Sequence, residues 1–375
     1  MRVLQCDLAS SFPLARAGGH RTVHSLLLQL ARARDVECMT LFPRRGLGSV
    51  LPDYDPTLAE FESLGIRGLS VTPRRWIFDC GYPAWAVERV EDELDSCLTA
   101  FQPDVVWSNS LLSMPVLREA RRRGLAALWY VHDCRPAPQD LQEAAGIGVH
   151  IVAVSNFIGE RILRVSGHRA DVVYPLTIED DYLAGPSSAD FVTFINPRPV
   201  KGYDVVLRLI ALVPEVQFLV VEAWPLGAER ETVEAQLALF PNVRFVRRLA
   251  DTREIYARTR ILLVPSVVEE GGPRVIREAQ LNRIPVLGSA RGGVPEMVGD
   301  GGVIIEDYED AGAWAAAIRM LIDDAQAYRR LSDAALKNAY RDDLTTPVIV
   351  RRFTAALNRA GDMTAAGVMA EPQDA

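Results

Sequence analysis

The chain has 375 residues, 49% hydrophobic and 24% charged, with a formal net charge of −8. That length predicts two domains of roughly 150–200 residues each, and the composition is that of a globular protein. The acidic balance excludes an ordinary nucleic-acid binder, which would carry a basic surface.

The first element in chain order is a strand over 3–8, Val3-Leu4-Gln5-Cys6 broken by Asp7. It contains no signal-peptide apolar core. No apolar run approaches the ~20 residues of a spanning helix, so the expected location is cytoplasmic. Strands over 36–42, 104–109, 127–132, 151–155 and 171–174 follow, alternating with helix-period segments at 20–33, 87–101, 114–123 and 157–165. The stretch from Glu179 to Ala189, with Asp180-Asp181, Gly185-Pro186 and Ser187-Ser188, reads as a linker. The alternation restarts with strands at 191–195, 216–221, 243–246, 261–265, 285–288 and 303–305. Helices over 203–212, 311–323 and 325–340 belong to the same half. Continuous apolar runs such as Phe218-Leu219-Val220-Val221 imply strands buried on both faces of a parallel sheet. The expected domains are 1–182 and 190–345, a helix at 346–360 that crosses back, and a disordered tail at 361–375.

Five cysteines (Cys6, Cys38, Cys80, Cys97, Cys134) are odd in number and form no Cys-x-x-Cys, which suits a reduced protein without a zinc site. Arg44-Arg45, Arg74-Arg75 and Arg121-Arg122-Arg123 read as solvated faces. The alternative is a contact surface for an anionic acceptor or for lipid headgroups at a membrane. Lys201 and Lys337 are the only lysines, so Lys201 stands out as a compact point charge in a chain that otherwise chooses arginine.

The most informative segment runs from the strand Leu262-Leu263-Val264-Pro265-Ser266 into Glu269-Glu270-Gly271-Gly272-Pro273 and a helix through Glu278. Gly271 and Gly272 leave backbone N–H groups bare for close approach. Pro273 suits a helix start, where free N–H donors favour a diphosphate. Glu270 in the loop and Glu278 about a turn and a half into the helix offer carboxylates for sugar and ribose hydroxyls. Taken alone, the spacing is equally that of an acidic loop before an ordinary helix. The context adds Pro285-Val286, Gly292-Gly293-Val294-Pro295-Glu296 and Gly299-Asp300-Gly301-Gly302.

Together these segments resemble the C-terminal domain of the group 1 glycosyltransferases, a retaining family whose hallmark is Glu-x7-Glu, here Glu270 and Glu278. The resemblance is carried by residues 191–310. It implies a GT-B fold: α/β, with two Rossmann-like doubly wound domains facing a cleft. It also implies transfer of a sugar from a nucleotide-diphosphate donor with retention, without cofactor or metal, to an acceptor glycan, glycolipid or small molecule. Lys201, before Gly202 at a strand-to-helix turn, fits the family's phosphate-binding lysine. The family's arginine falls at Asn196, so Arg198 is the candidate substitute. Gly18-Gly19 would line the diphosphate, and His132 would meet the donor sugar. Ser155 reads either as a cleft residue or as a helix N-cap. Trp224 and Glu222 fall near the expected nucleotide base, where Trp224 would either stack on the base or cap the cleft. Gly272-Pro273 departs from the family's aromatic-then-glycine pair and leaves the sugar unassigned.

Two other readings stay open: a nucleotide-sugar epimerase on the same fold, and a non-catalytic sugar-nucleotide-binding module. His20 and His24, four apart, lack a third metal ligand in the sequence. Asp53-Tyr54-Asp55 has a metal-site spacing but lies in a Pro-flanked loop.

Overall fold

The computed structural model describes residues 1–9, 11–14, 18–33, 35–44, 62, 66–185, 188–247 and 251–369. Asp53-Tyr54-Asp55 and Arg45 lie outside the described residues. The chain divides into two compact units, Met1–Leu176 with Thr346–Ala375, and Thr177–Thr345.

The first unit opens with β1 (Arg2–Cys6), α1 (Gly18–Ala31), β2 (Glu37–Pro43), β3 (Arg67–Val71), β4 (Arg75–Asp79) and β5 (Pro83–Val87). It continues with α2 (Val90–Phe101), β6 (Val105–Ser108), α3 (Met114–Arg122), β7 (Ala126–Val131), α4 (Pro138–Gly146), β8 (His150–Ala153), α5 (Asn156–Ser166) and β9 (Asp171–Val172). The nine strands lie in the order β3-β4-β5-β2-β1-β6-β7-β8-β9. All six residues of β7 are buried, as a strand covered on both faces requires. In α1 the buried Val23, Leu26, Leu27 and Leu30 recur at helical spacing and form the face that meets the sheet.

The antiparallel meander β3-β4-β5 escapes the sequence reading. Its strands have five residues each; β3 and β4 carry Arg67, Arg75 and Asp79 among their apolar positions, and β5 opens on Pro83. Arg75 stacks over Trp85 at 4.4 Å, which makes its charge compatible with strand packing.

The second unit contains β10 (Phe191–Ile195), α6 (Tyr203–Leu212), β11 (Phe218–Val221), α7 (Arg230–Leu237), β12 (Val243–Val246), α8 (Arg253–Tyr256) and β13 (Thr259–Val264). After these come α9 (Arg274–Gln280), β14 (Val286–Ser289), α10 (Val294–Val298), β15 (Gly302–Ile305), α11 (Ala311–Asp323) and α12 (Ala325–Ala339). Its all-parallel order, β12-β11-β10-β13-β14-β15, places the reversal of strand order between β10 and β13. In a doubly wound sheet, ligands bind outside the carboxyl ends of the strands at that reversal. Trp314 and Ile318 of α11 pack with Leu209 and Ile210 of α6 in the core beneath it. Asp310 and Asp324 cap α11 and α12 by accepting from backbone amides at 2.9 Å.

Two expected boundaries need correction. Thr177–Tyr182 belongs to the second unit and not to a first domain ending at 182. Buried Arg277 donates to the Thr177 carbonyl at 2.7 Å and to Glu179 at 2.5 Å, and Arg274 donates to the Tyr182 hydroxyl at 3.0 Å. The expected disordered tail is helical well past 361, because α13 runs from Thr346 to Met369. Its small residues let it sit close to the sheet: Ala360 and Thr364 are buried, and Thr364 Oγ1 accepts from Arg121 at 2.6 Å.

No helix among the described residues is long and apolar enough to cross a membrane.

The fully buried Phe353 of α13 stands edge-on to Trp107 at 4.6 Å and beside Tyr130 at 5.5 Å. Phe353→Ala is expected to destabilise the first unit by about 3–5 kcal/mol, read from urea unfolding of the full chain. A loss no larger than that of a surface substitution would mean that α13 is not part of this core.

Candidate functional site

Lys201 and Glu270 reach one another at the strand-order reversal of the second unit because three backbone approaches force their loops together. After β10 the chain turns through Asn196 at φ 66° and the short 3₁₀ turn Pro199–Lys201 to Gly202 at φ 85°. A Cβ on Gly202 would stand 2.0 Å from the Pro265 carbonyl oxygen, so only glycine lets this turn press against the end of β13. Val267 N donates to Val200 O at 3.2 Å and fastens the two loops. From the other side the turn after β14 closes on the acidic loop. Gly293 N donates to Glu270 O at 2.7 Å, and a Cβ on Gly293 would meet Gly271 O at 2.3 Å. The second Gly-Gly thus has a packing reason for its composition.

Between these loops Lys201 Nζ donates to Glu270 Oε1 at 2.5 Å, and Ser266 Oγ donates to the same oxygen at 2.5 Å. The side chains of the pair are only 19% and 14% exposed. A shielded pair of this kind yields little net stability, because desolvation offsets the attraction. Its value lies in position.

Glu278 sits apart from that pair. Its carboxylate is buried, accepts from Tyr256 Oη at 2.7 Å and lies 3.5 Å from Arg274 Nε. Burial, reinforced by the neighbouring carboxylate, pushes the Tyr256 phenol far above its ordinary pKa, so it stays a donor. Tyr256 and Arg274 are residues the sequence reading missed; the helical i,i+4 spacing of Arg274 and Glu278 was the available signal.

Arg198 is engaged differently from the expectation. Its guanidinium donates to the Pro225 carbonyl and pairs with Glu229 at 3.2 Å, both on the segment after β11. Glu222 is also a structural anchor. Burial raises its pKa, but Arg230 at 2.7 Å and the Leu226 amide at 2.8 Å outweigh that and hold the carboxyl below its ordinary value. Gly271 and Gly272 precede α9, which has seven residues.

In the first unit the structure brings Gly19 and His132 together. Gly18 and Gly19 form the first turn of α1, and a Cβ on Gly19 would lie 3.6 Å from His132 Nδ1. The imidazole packs against the Tyr130 ring at 4.2 Å. Ser155 caps α5 by accepting from Ile158 N at 3.2 Å. Asp133 is held by Arg135 at 2.6 Å. His24 is hydrogen-bonded to Tyr82 Oη at 2.7 Å and stacked on Phe12 at 3.8 Å. Burial and then Arg21 pull its pKa down to about 4. No cluster of three or more His, Cys, Asp or Glu side chains among the described residues could hold a metal ion.

The comparisons with known proteins meet this geometry in the second unit. Residues 188–338 match the family model for glycosyl transferases group 1. The chain carries a group 1 glycosyltransferase domain. A D-inositol 3-phosphate glycosyltransferase of Mycobacterium sp. (strain JLS) is 29% identical over 184 residues, covering 43% of this chain and 41% of the relative. The corresponding protein of Mycobacterium marinum is 30% identical over 182 residues, 45% of this chain and 38% of the relative. The matches therefore span about two fifths of these relatives' length. Among solved structures, HepE of Anabaena in complex with UDP-glucose has a TM-score of 0.75 at 17% identity, covering 96% of this chain and all of that one. Sucrose-phosphate synthase of Thermosynechococcus elongatus also has a TM-score of 0.75 at 17% identity, covering 98% and 100%. At that identity the likeness shows the fold, which is GT-B. The group 1 match places Lys201, Glu270, Glu278 and the second Gly-Gly inside one domain.

Asp7, at the end of β1, was noted in the sequence only as a break in a strand. It is 2% exposed, with Asn109 N donating to Oδ2 at 3.2 Å. Burial pushes its pKa from 3.8 to about 6 against the lowering effect of Ser110 and backbone amides. The folded state thus holds this proton more tightly than the unfolded chain. Its contribution is full below pH 3.8 and is lost as pH rises through about 6. The stability of Asp7→Asn relative to the parent is expected to rise between those limits and level off above them. Denaturant titrations at several pH values would show it, and a constant difference would contradict it.

Proposed function

We propose that this chain transfers a sugar from a nucleoside-diphosphate donor to a hydroxyl acceptor, with retention at the anomeric carbon and without a metal ion. The observation that carries the reading is the Lys201–Glu270 pair at the strand-order reversal of a group 1 domain. The relatives named for glycosyl transfer to D-inositol 3-phosphate support the reaction class, and the UDP-glucose complex of HepE supports the donor class.

In this reading an incoming diphosphate takes over hydrogen bonds from the Lys201 ammonium. Glu270, still held by Ser266, turns its freed acceptor capacity to sugar hydroxyls. As the anomeric C–O bond to the diphosphate breaks, charge grows on the leaving oxygen, where Lys201 stabilises it. The acceptor oxygen bonds to the anomeric carbon from the same face, and its proton passes to the leaving phosphate. Glu278, fixed by Tyr256 and Arg274, accepts from the ribose hydroxyls. Arg198 is the second candidate cation for the diphosphate, and its present contacts make it a clamp on the segment after β11.

A panel of UDP-, GDP- and dTDP-sugars, scored for binding and slow hydrolysis, tests the reading, and failure to bind any of them ends it. With a donor in hand, Lys201→Met combined with Glu270→Gln removes both charges and leaves no buried carboxylate alone. Turnover is expected to fall by about 10²–10³-fold in steady-state assays, while a chelator leaves the parent's turnover unchanged. Turnover near that of the parent in the double variant would place the donor elsewhere.

A further inference from the structure

Resting on that reading of the donor site, we infer that the Trp224 indole is the stacking platform for the donor's nucleobase. The segment after β11 is anchored by side chains at several points. Trp224 N donates to Asn196 Oδ1 at 2.6 Å, and Arg198 donates to Pro225 O. Leu226 N donates to Glu222 Oε1 at 2.8 Å, and Arg230 donates to the same oxygen at 2.7 Å and to Oε2 at 3.0 Å. Glu222 and Leu226 are buried, whereas Trp224 between them is half-exposed. The polar anchors hold the backbone, and the large apolar side chain is what the loop presents. A rigid aromatic presented in this way binds a flat partner with little further ordering cost.

The choice of partner follows from what stands on each side of Lys201. Glu270, from the β13 side, supplies carboxylate oxygens that suit sugar hydroxyls. Trp224, from the β11 side, has Lys201 Nζ over one face of its ring at 5.0 Å from the centroid and offers an aromatic surface with no acceptor oxygen. A sugar, a diphosphate and a nucleoside strung past one ammonium therefore place the sugar toward Glu270 and the base toward the indole. Asn196 is central to this arrangement. It occupies the position where an arginine was expected, and its side chain holds the Trp224 backbone instead of carrying a second charge. Stacking reads the face of a base and not its edge, so purine and pyrimidine donors both fit the platform.

The test is calorimetric titration of the full chain with UDP, GDP and inorganic pyrophosphate, using the parent, Trp224→Leu and Trp224→Phe. Trp224→Leu is expected to weaken the nucleoside diphosphate by about 10- to 100-fold and to leave pyrophosphate unchanged. Trp224→Phe keeps an aromatic face and is expected to stay close to the parent. Unaltered nucleotide binding in Trp224→Leu, or an equal loss for pyrophosphate, would overturn the platform and leave the donor site standing. A parent chain that binds neither UDP nor GDP would overturn both.

Discussion

The ion pair between Lys201 and Glu270 exists only because two loops and a third turn pack backbone against backbone. Gly202 lies against the Pro265 carbonyl, and Gly293 lies against Gly271. Each contact is closer than any side chain would permit, so the glycines fix the distance between charges carried by different strands. Ser266 then donates to the same Glu270 oxygen as Lys201 and holds the carboxylate in place. The site is thus a consequence of strand order. β10 and β13 are neighbours at which the sheet's winding reverses, and ligands of doubly wound sheets bind outside the carboxyl ends at such a reversal.

Around that pair the domain uses ionisable side chains mainly as anchors. Arg277 is 1% exposed, yet it satisfies the Thr177 and Ala339 carbonyls and pairs with Glu179. Arg274 and Tyr256 fix Glu278, Arg230 fixes Glu222, and Arg198 holds the segment that carries Trp224. Arginine suits such work because its planar fork satisfies several acceptors from one position. Of the two lysines in this domain, Lys201 is the one whose compact charge faces the acidic loop. The contrast between forked and compact cations separates the chain's scaffolding from its proposed chemistry.

The core elements were legible because burial on both faces of a parallel sheet writes itself as continuous apolar runs. β10, α6 and α11 lie at the residues expected from pattern alone. The meander β3-β4-β5 was not legible, since its strands have five residues each and β3 and β4 mix Arg67, Arg75 and Asp79 with apolar residues. The tail was misread for a related reason. Thr364 lies in what looks like a polar, small-residue end, and its buried hydroxyl accepts from Arg121, which is 243 positions away.

Sequence by itself determined the class of fold, the family of the second unit and the run of residues in which the site lies. These follow from local periodicity and from a spaced motif, both of which are properties of neighbouring residues. Tertiary structure alone decided which charges meet. Lys201 reaches Glu270 across 69 positions, while Arg198, only three residues from Lys201, turns to Pro225 and Glu229. It also decided that Glu278 is clamped by Tyr256 and that the indole of Trp224 stands beside the Lys201 ammonium. Hydrogen bonds and ion pairs act over a few ångströms, and only the winding of the sheet brings residues so distant in sequence within that reach.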